Sequence, residues 1–136
     1  MAASFERLPN NVRCVLADCP YSSPFSIFES STKGYHIPRF LLRFYSQLTG
    51  LLFVHSNFAK YDLLKGLKNN KLPILMIHGQ KDSIVPVTNS ENMKKAYPDL
   101  IQLELFANAD HGLSYFDDLN RYKKVSKEFL NKYLLK

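Results

Sequence analysis

An α/β fold built on a short parallel sheet is predicted by three segments of the sequence. Residues Pro73 to Ile77 form a charge-free apolar run, the pattern of a strand covered on both faces. Ile101 to Phe106 sets Ile101, Leu103 and Leu105 against Gln102, Glu104 and Phe106, the alternation of a half-covered or edge strand. Between them lies a segment of helical length, which is the crossover that parallel neighbours require. Val12 to Cys19 supplies a further apolar strand. Three parallel strands with connecting helices are therefore expected.

The elements follow in chain order. Val12 to Cys19 reads as a buried strand, with Asp18-Cys19-Pro20-Tyr21-Ser22-Ser23-Pro24 as its exit loop. From about Pro24 to Leu67 the pattern is helical with interruptions and carries Phe40, Phe44, Tyr45, Phe53 and Phe58. Such a stripe either packs on the sheet as core or lines a ligand site, because apolar periodicity fixes burial and not the partner. The second strand breaks at His78-Gly79, where glycine permits a turn that a branched residue resists. Thr88-Asn89-Ser90-Glu91 matches a capping box, so a helix is expected to begin there, with the Thr88 hydroxyl and Glu91 each satisfying a free N–H, and to end at Pro98. After the third strand comes a helix whose Phe116, Leu119, Tyr122, Phe129, Leu130 and Tyr133 recur at three-and-four spacing. Asp117 and Asp118 in its first turn and lysines further on suit the helix dipole.

Two side chains in this frame carry chemistry. Asp82 lies in the loop past the second strand and His111 in the loop past the third, and open α/β sheets bind ligands beyond the carboxyl ends of their strands. Neighbouring strands are only about 4.8 Å apart, so parallel pairing puts both residues on one rim. A carboxylate that accepts from one imidazole nitrogen fixes the tautomer and leaves the other nitrogen free to take a proton. Either residue alone is an ordinary loop former; the order of acid then base, each after its own strand, points to function. Asp18, ending the first strand, is a rival acid. Asp110 is expected to point away from the imidazole it precedes. Ser22, Ser23 and Ser114 are the serines near these loops, and none sits on a strand-to-helix glycine turn.

With VRCVLADCPYSSP at Val12 to Pro24, LPILMIHGQKDSIVP at Leu72 to Pro86 and ADHGLSY at Ala109 to Tyr115, the sequence resembles the C-terminal half of an α/β-hydrolase superfamily serine hydrolase. Within that superfamily it is similar to the bacterial serine aminopeptidase and acylglycerol-lipase branch. The resemblance implies that Asp82 is the triad acid and His111 the triad base. It also implies that residues 24–67 are a helical cap over an acyl pocket, and that residues 1–136 are a single C-terminal fragment of the fold. Such hydrolases carry their nucleophile upstream on a sharp GxSxG turn, and none of the five glycines here opens that pattern. The oxyanion hole is missing with it, since one donor follows the nucleophile and the other lies on an earlier loop. Met1 to Phe5 resembles the tail of the helix after the elbow, so the chain reads as a truncated hydrolase.

Composition bounds the remaining classes. A length of 136 residues suits one domain and falls short of the roughly 250 residues of a typical complete α/β enzyme. Hydrophobic residues at 46% argue against disorder, and no apolar run or leader pattern suggests a membrane span or signal peptide, so a cytoplasmic protein is expected. Cys14 and Cys19 stand at opposite ends of one strand, too far apart for a disulfide. His36, His55 and His78 show no ligand spacing, so neither metal nor other cofactor is expected. A net charge of +6 raises nucleic-acid binding, yet the lysines are scattered and no motif accompanies them, so no such partner is expected. Two readings remain. The first is the acid-and-base part of a serine hydrolase acting on a small ester or amide, inactive until an N-terminal half is supplied. The second is a non-catalytic remnant that self-associates through an exposed strand edge.

Overall fold

β2 spans Ile74–Gly79 and is buried at every position, as its unbroken apolar run requires. A computed structural model describes residues 8–135 and sets this strand at the centre of a sheet ordered β1-β2-β3, with β1 at Val15–Asp18 and β3 at Ile101–Phe106. Both pairings are parallel, with Asp18 opposite Ile77 and Gly79 opposite Phe106. The resemblance of Met1 to Phe5 to a helix tail lies outside the described residues.

The alternation of β2 side chains feeds two cores. Ile74 and Met76 pack with Leu63, Leu67, Met93 and Ile101 on one face, while Leu75 and Ile77 pack with Phe106, Ala109 and Phe129 on the other. The first face is covered by α3 (Leu63–Leu67) and α4 (Thr88–Ala96), the second by α6 (Leu119–Leu134). β3 is the edge strand that its alternation suggests, buried at its two ends only.

β1 is shorter than expected. The Val12 N–H turns back to the Pro9 carbonyl at 3.1 Å, and Cys19 ends the ladder in a left-handed conformation, φ 47°. The helix expected from Thr88 begins there, but without the capping box. Pro86 and Val87 already accept from the N–H groups of Asn89 and Ser90, which makes Val87 the cap and leaves the Thr88 hydroxyl within the helix, out of capping position. The final helix is also divided, into α5 (Ser114–Asp117) and α6, because Asp118 adopts an extended backbone and caps α6 by accepting from the Arg121 N–H at 2.9 Å.

The aromatic segment forms α1 (Pro24–Ser31), α2 (Arg39–Phe53), a tight turn at Phe58–Lys60 and α3. Ser23 caps α1 through a reciprocal pair with Ser26 that the sequence reading did not single out. α2 buries Leu42, Ser46 and Gly50, whereas Phe40, Phe44, Tyr45 and Phe53 are 59–78% exposed. Those four rings are therefore not core against the sheet. Among the described residues no helix is long and apolar enough to cross a membrane.

Candidate functional site

The loops after β2 and β3 meet because Gly79 lets them. A Cβ built on Gly79 falls 2.3 Å from the Ala109 carbonyl oxygen and 2.8 Å from its carbon. The glycine is thus required for close approach and not for the turn that its place in the sequence suggests; it lies inside β2, outside the left-handed region. Backbone bonds complete the join: the Gln80 N–H donates to Phe106 at 2.8 Å and the Lys81 N–H to Ala109 at 3.1 Å.

On this joined rim the His111 Nδ1 lies 2.9 Å from Asp82 Oδ2. The Asp82 side chain is fully buried, and that of His111 is 36% exposed. Asp82 Oδ1 accepts from the N–H groups of Ile84 at 2.9 Å and Val85 at 2.7 Å, so a turn of its own loop fixes the carboxylate. Burial raises the carboxyl, but the Val85 N–H, His111, the Ile84 N–H and the Cys19 thiol outweigh it and hold Asp82 below its ordinary value. With Nδ1–H donated to the carboxylate, His111 Nε2 is the basic atom and has no hydrogen-bond partner among the described residues. Gly112 follows in a left-handed conformation, φ 68°, and its N–H reaches Cys19 Sγ at 3.3 Å.

The rival groups go elsewhere. Asp18 accepts from the Tyr122 hydroxyl at 3.2 Å, and burial first, then Asp18, pushes that phenol up to about 12. Asp110 points away from the His111 ring, accepting the N–H groups of His111 and Ser83 and the Ser83 hydroxyl. Ser22 donates to Asn89 Oδ1 at 2.6 Å and Ser23 caps α1. Ser114 follows Gly112 by two residues, but Phe116 stands where a second glycine would complete GxSxG, and the hydroxyl is wholly buried.

Sequence reasoning missed two neighbours of Asp82. Cys19 Sγ, a His78 ring nitrogen and an Asp82 oxygen lie within 4.8 Å of one another, a grouping that the survey of histidine spacing did not foresee. It lacks a free imidazole lone pair: His78 Nε2 faces the Val85 carbonyl at 2.9 Å and Asp82 at 3.2 Å, both acceptors, while Nδ1 meets the Ser90 hydroxyl at 2.7 Å. Burial pushes the Cys19 thiol up to about 11, against the N–H groups of Gly112 and Gly79 and with the help of Asp18. Hydrogen bonding, not metal ligation, explains this set. Cys19 is accordingly expected to resist iodoacetamide at pH 8 in the folded protein and to react after denaturation, as read by peptide mass spectrometry; rapid labelling of native Cys19 would contradict the protonated, enclosed thiol.

No family model matches the chain. Among curated proteins it is 33% identical over 82 residues to the AB hydrolase superfamily protein YisY of Bacillus subtilis, covering 57% of this chain and 29% of that protein. It is 30% identical over 59 residues to the uncharacterized protein YqkD of the same organism, covering 43% and 19%. The chain thus matches less than a third of the length of either relative. Among solved structures, an esterase of Pyrococcus furiosus superposes with a TM-score of 0.68 at 18% identity, over 98% of this chain and 49% of the esterase. An acylaminoacyl peptidase of Pyrococcus horikoshii gives 0.70 at 21%, over 98% and 22%. These likenesses establish the fold and say nothing of branch or substrate. With its parallel sheet, covering helices and joined rim, the chain has part of the α/β-hydrolase fold.

Proposed function

We propose that Asp82 and His111 are the acid and base of a Ser-His-Asp hydrolase acting on an ester or amide, and that the nucleophilic serine comes from outside these 136 residues. One observation carries this reading: the 2.9 Å bond from His111 Nδ1 to a buried carboxylate, on a partly exposed ring whose Nε2 is unpaired among the described residues. His111 Nε2 takes the serine proton as the oxygen attacks the carbonyl carbon, and then returns it to the departing alcohol or amine. Asp82 stays ionised throughout and stabilises the imidazolium. Oxyanion donors would come from the residue after the nucleophile and from an earlier loop. A cleft of about 230 Å³ lined by Pro20, Tyr21, Tyr61 and Leu63 adjoins the site at Cys19 and offers an apolar wall to a small acyl group, with the helices of residues 24–67 as its cap.

Co-expression with a polypeptide that carries the GxSxG strand and helix tests the proposal. The chain alone is expected to leave p-nitrophenyl butyrate unhydrolysed, and the complemented pair to turn it over. His111→Ala is expected to cost about 10⁴ in kcat, the scale on which triad members act. No gain on complementation would remove the hydrolase reading.

A second reading rests on β1, whose one strand partner among the described residues is β2. Its other side offers unpaired backbone groups, a template for a second copy. Dimers in light scattering are the expected result under this reading, and a monodisperse monomer at high concentration contradicts it.

A further inference from the structure

The proposed relay leaves unexplained why a second imidazole lies beside the acid, fully buried. We propose that His78 is a positioning residue: as the neutral Nε2–H tautomer, locked by Ser90, it holds the carbonyl of Val85, whose own N–H binds Asp82, and it lies against the Asp82 oxygen that receives His111. The inference rests on the assignment of Asp82 and His111 above and extends it to a residue that no part of that reading uses.

The tautomer follows from the partners. A carbonyl oxygen only accepts, so the 2.9 Å contact with Val85 requires the proton on His78 Nε2. Asp82 Oδ2 lies 3.2 Å from the same nitrogen, while the hydrogen itself is given to Val85. In a neutral ring Nδ1 is then an acceptor, and the Ser90 hydroxyl, itself wholly buried, donates to it at 2.7 Å. Each buried polar atom of the two side chains is satisfied in this arrangement and in no other neutral one.

The acceptor count on Asp82 closes in the same way. A carboxylate offers about four lone-pair positions. Ile84 and Val85 N–H groups occupy Oδ1, His111 occupies Oδ2, and the Cys19 thiol adds a fourth donor. Rotation of the carboxylate about its own bond is thereby blocked from both oxygens. His78 anchors Val85 without bringing a charge, so it holds the Asp82 loop in place and leaves the ion pair to His111. Serine 90 reaches the ring from α4 and His78 from β2, which couples the helix on one sheet face to the rim. The other groups near the carboxylate are the Cys19 thiol, from the end of β1, and Asp110 beside His111, whose oxygens are taken by Ser83 and the His111 N–H.

Imidazole ¹⁵N–¹H correlation spectra of the chain alone test the inference without any need for activity. His78 is expected to show a protonated Nε2 and an unprotonated, hydrogen-bonded Nδ1 at neutral pH, and His111 a low-field Nδ1–H resonance. His78→Gln, which keeps a neutral N–H near the same place, is expected to retain that low-field resonance. His78→Leu is expected to lose it or move it upfield through faster exchange. A His78 ring protonated at Nδ1, or on both nitrogens, overturns the proposal, as does a folded His78→Leu variant with an unchanged His111 signal. Should His78→Leu fail to fold, the tautomer in the unaltered chain still decides. In the complemented pair, His78→Leu is expected to lower kcat about tenfold with KM unchanged, the pattern of a lost transition-state contact. A pair that is inactive with every variant counts against the hydrolase reading and leaves the spectra to judge His78.

Discussion

Asp82→Ala is expected to lower stability by about 3–5 kcal/mol, since it strands several donors at once, two of them part-buried, and each of these costs about 1–3 kcal/mol before relaxation or water relieves it. The stranded groups are the Ile84 and Val85 N–H and His111 Nδ1–H, with the Cys19 thiol beside them. Thermal unfolding should show a fall of roughly 10–20 °C for a domain of this size. A fall within about 3 °C would mean that the carboxylate does not organise its loop. The more conservative Asp82→Asn keeps one acceptor oxygen but turns an amide toward the imidazole donor of His111. Its effect has a pH signature. The Asp82 carboxyl lies below its ordinary 3.8 in the folded protein, so the stability it contributes is complete above that value and is lost as pH falls through the folded one. The gap between the unaltered chain and Asp82→Asn in urea titrations should therefore shrink below pH 3.8, and a gap that widens there would reverse the assignment.

Gly79→Ala is the second large effect. The new methyl would meet the Ala109 backbone at 2.3 Å and 2.8 Å, atoms that cannot rotate aside. Either β2 or the loop before His111 must shift, at a cost of about 3 kcal/mol or more for overpacking between two backbones. We expect the folded fraction to show a displaced or broadened His111 Nδ1–H resonance, because Ala109 stands two residues before that ring. Hydrolysis by the complemented pair should fall by at least about tenfold, since misplacing a catalytic group by an ångström costs up to about 10². Unchanged spectra and unchanged unfolding midpoint would show that the approach is looser than 2.3 Å.

How much of this was legible in the residues depended on whether the relevant force was local. The strands were readable because apolar runs encode burial on one or two faces, and Ile74 to Ile77 could not be exposed on either. Asp82 and His111 were readable because each follows its own strand, so pairing of the strands brings them together. The start of α4 at Thr88 was legible but its cap was not, because a turn already begun at Pro86, two residues before the motif, makes Val87 the cap. The break at Asp118 was hidden because Asp117 and Asp118 look alike, yet only the second caps a helix while the first accepts from the Asn108 N–H. His78 escaped notice because its partner Ser90 is twelve residues away on another element. A signal did exist: His78 precedes Asp82 by four residues at a strand end, a spacing that places both at one mouth of the sheet. Asn89, which ties the β1 exit loop to α4 through Ser22, left no local sign.

The stitching of the β2 loop to the β3 loop has a dynamic corollary. Gln80 to Phe106, Lys81 to Ala109 and Ser83 to Asp110 are fasteners placed on either side of the acid, and two of the three involve main chain only. Unzipping one loop releases the other, so the amides of both should exchange with deuterium as a single cooperative unit. Asp82 and His111 are thus preassembled in the chain by its own framework, as the proposed acid and base would need to be.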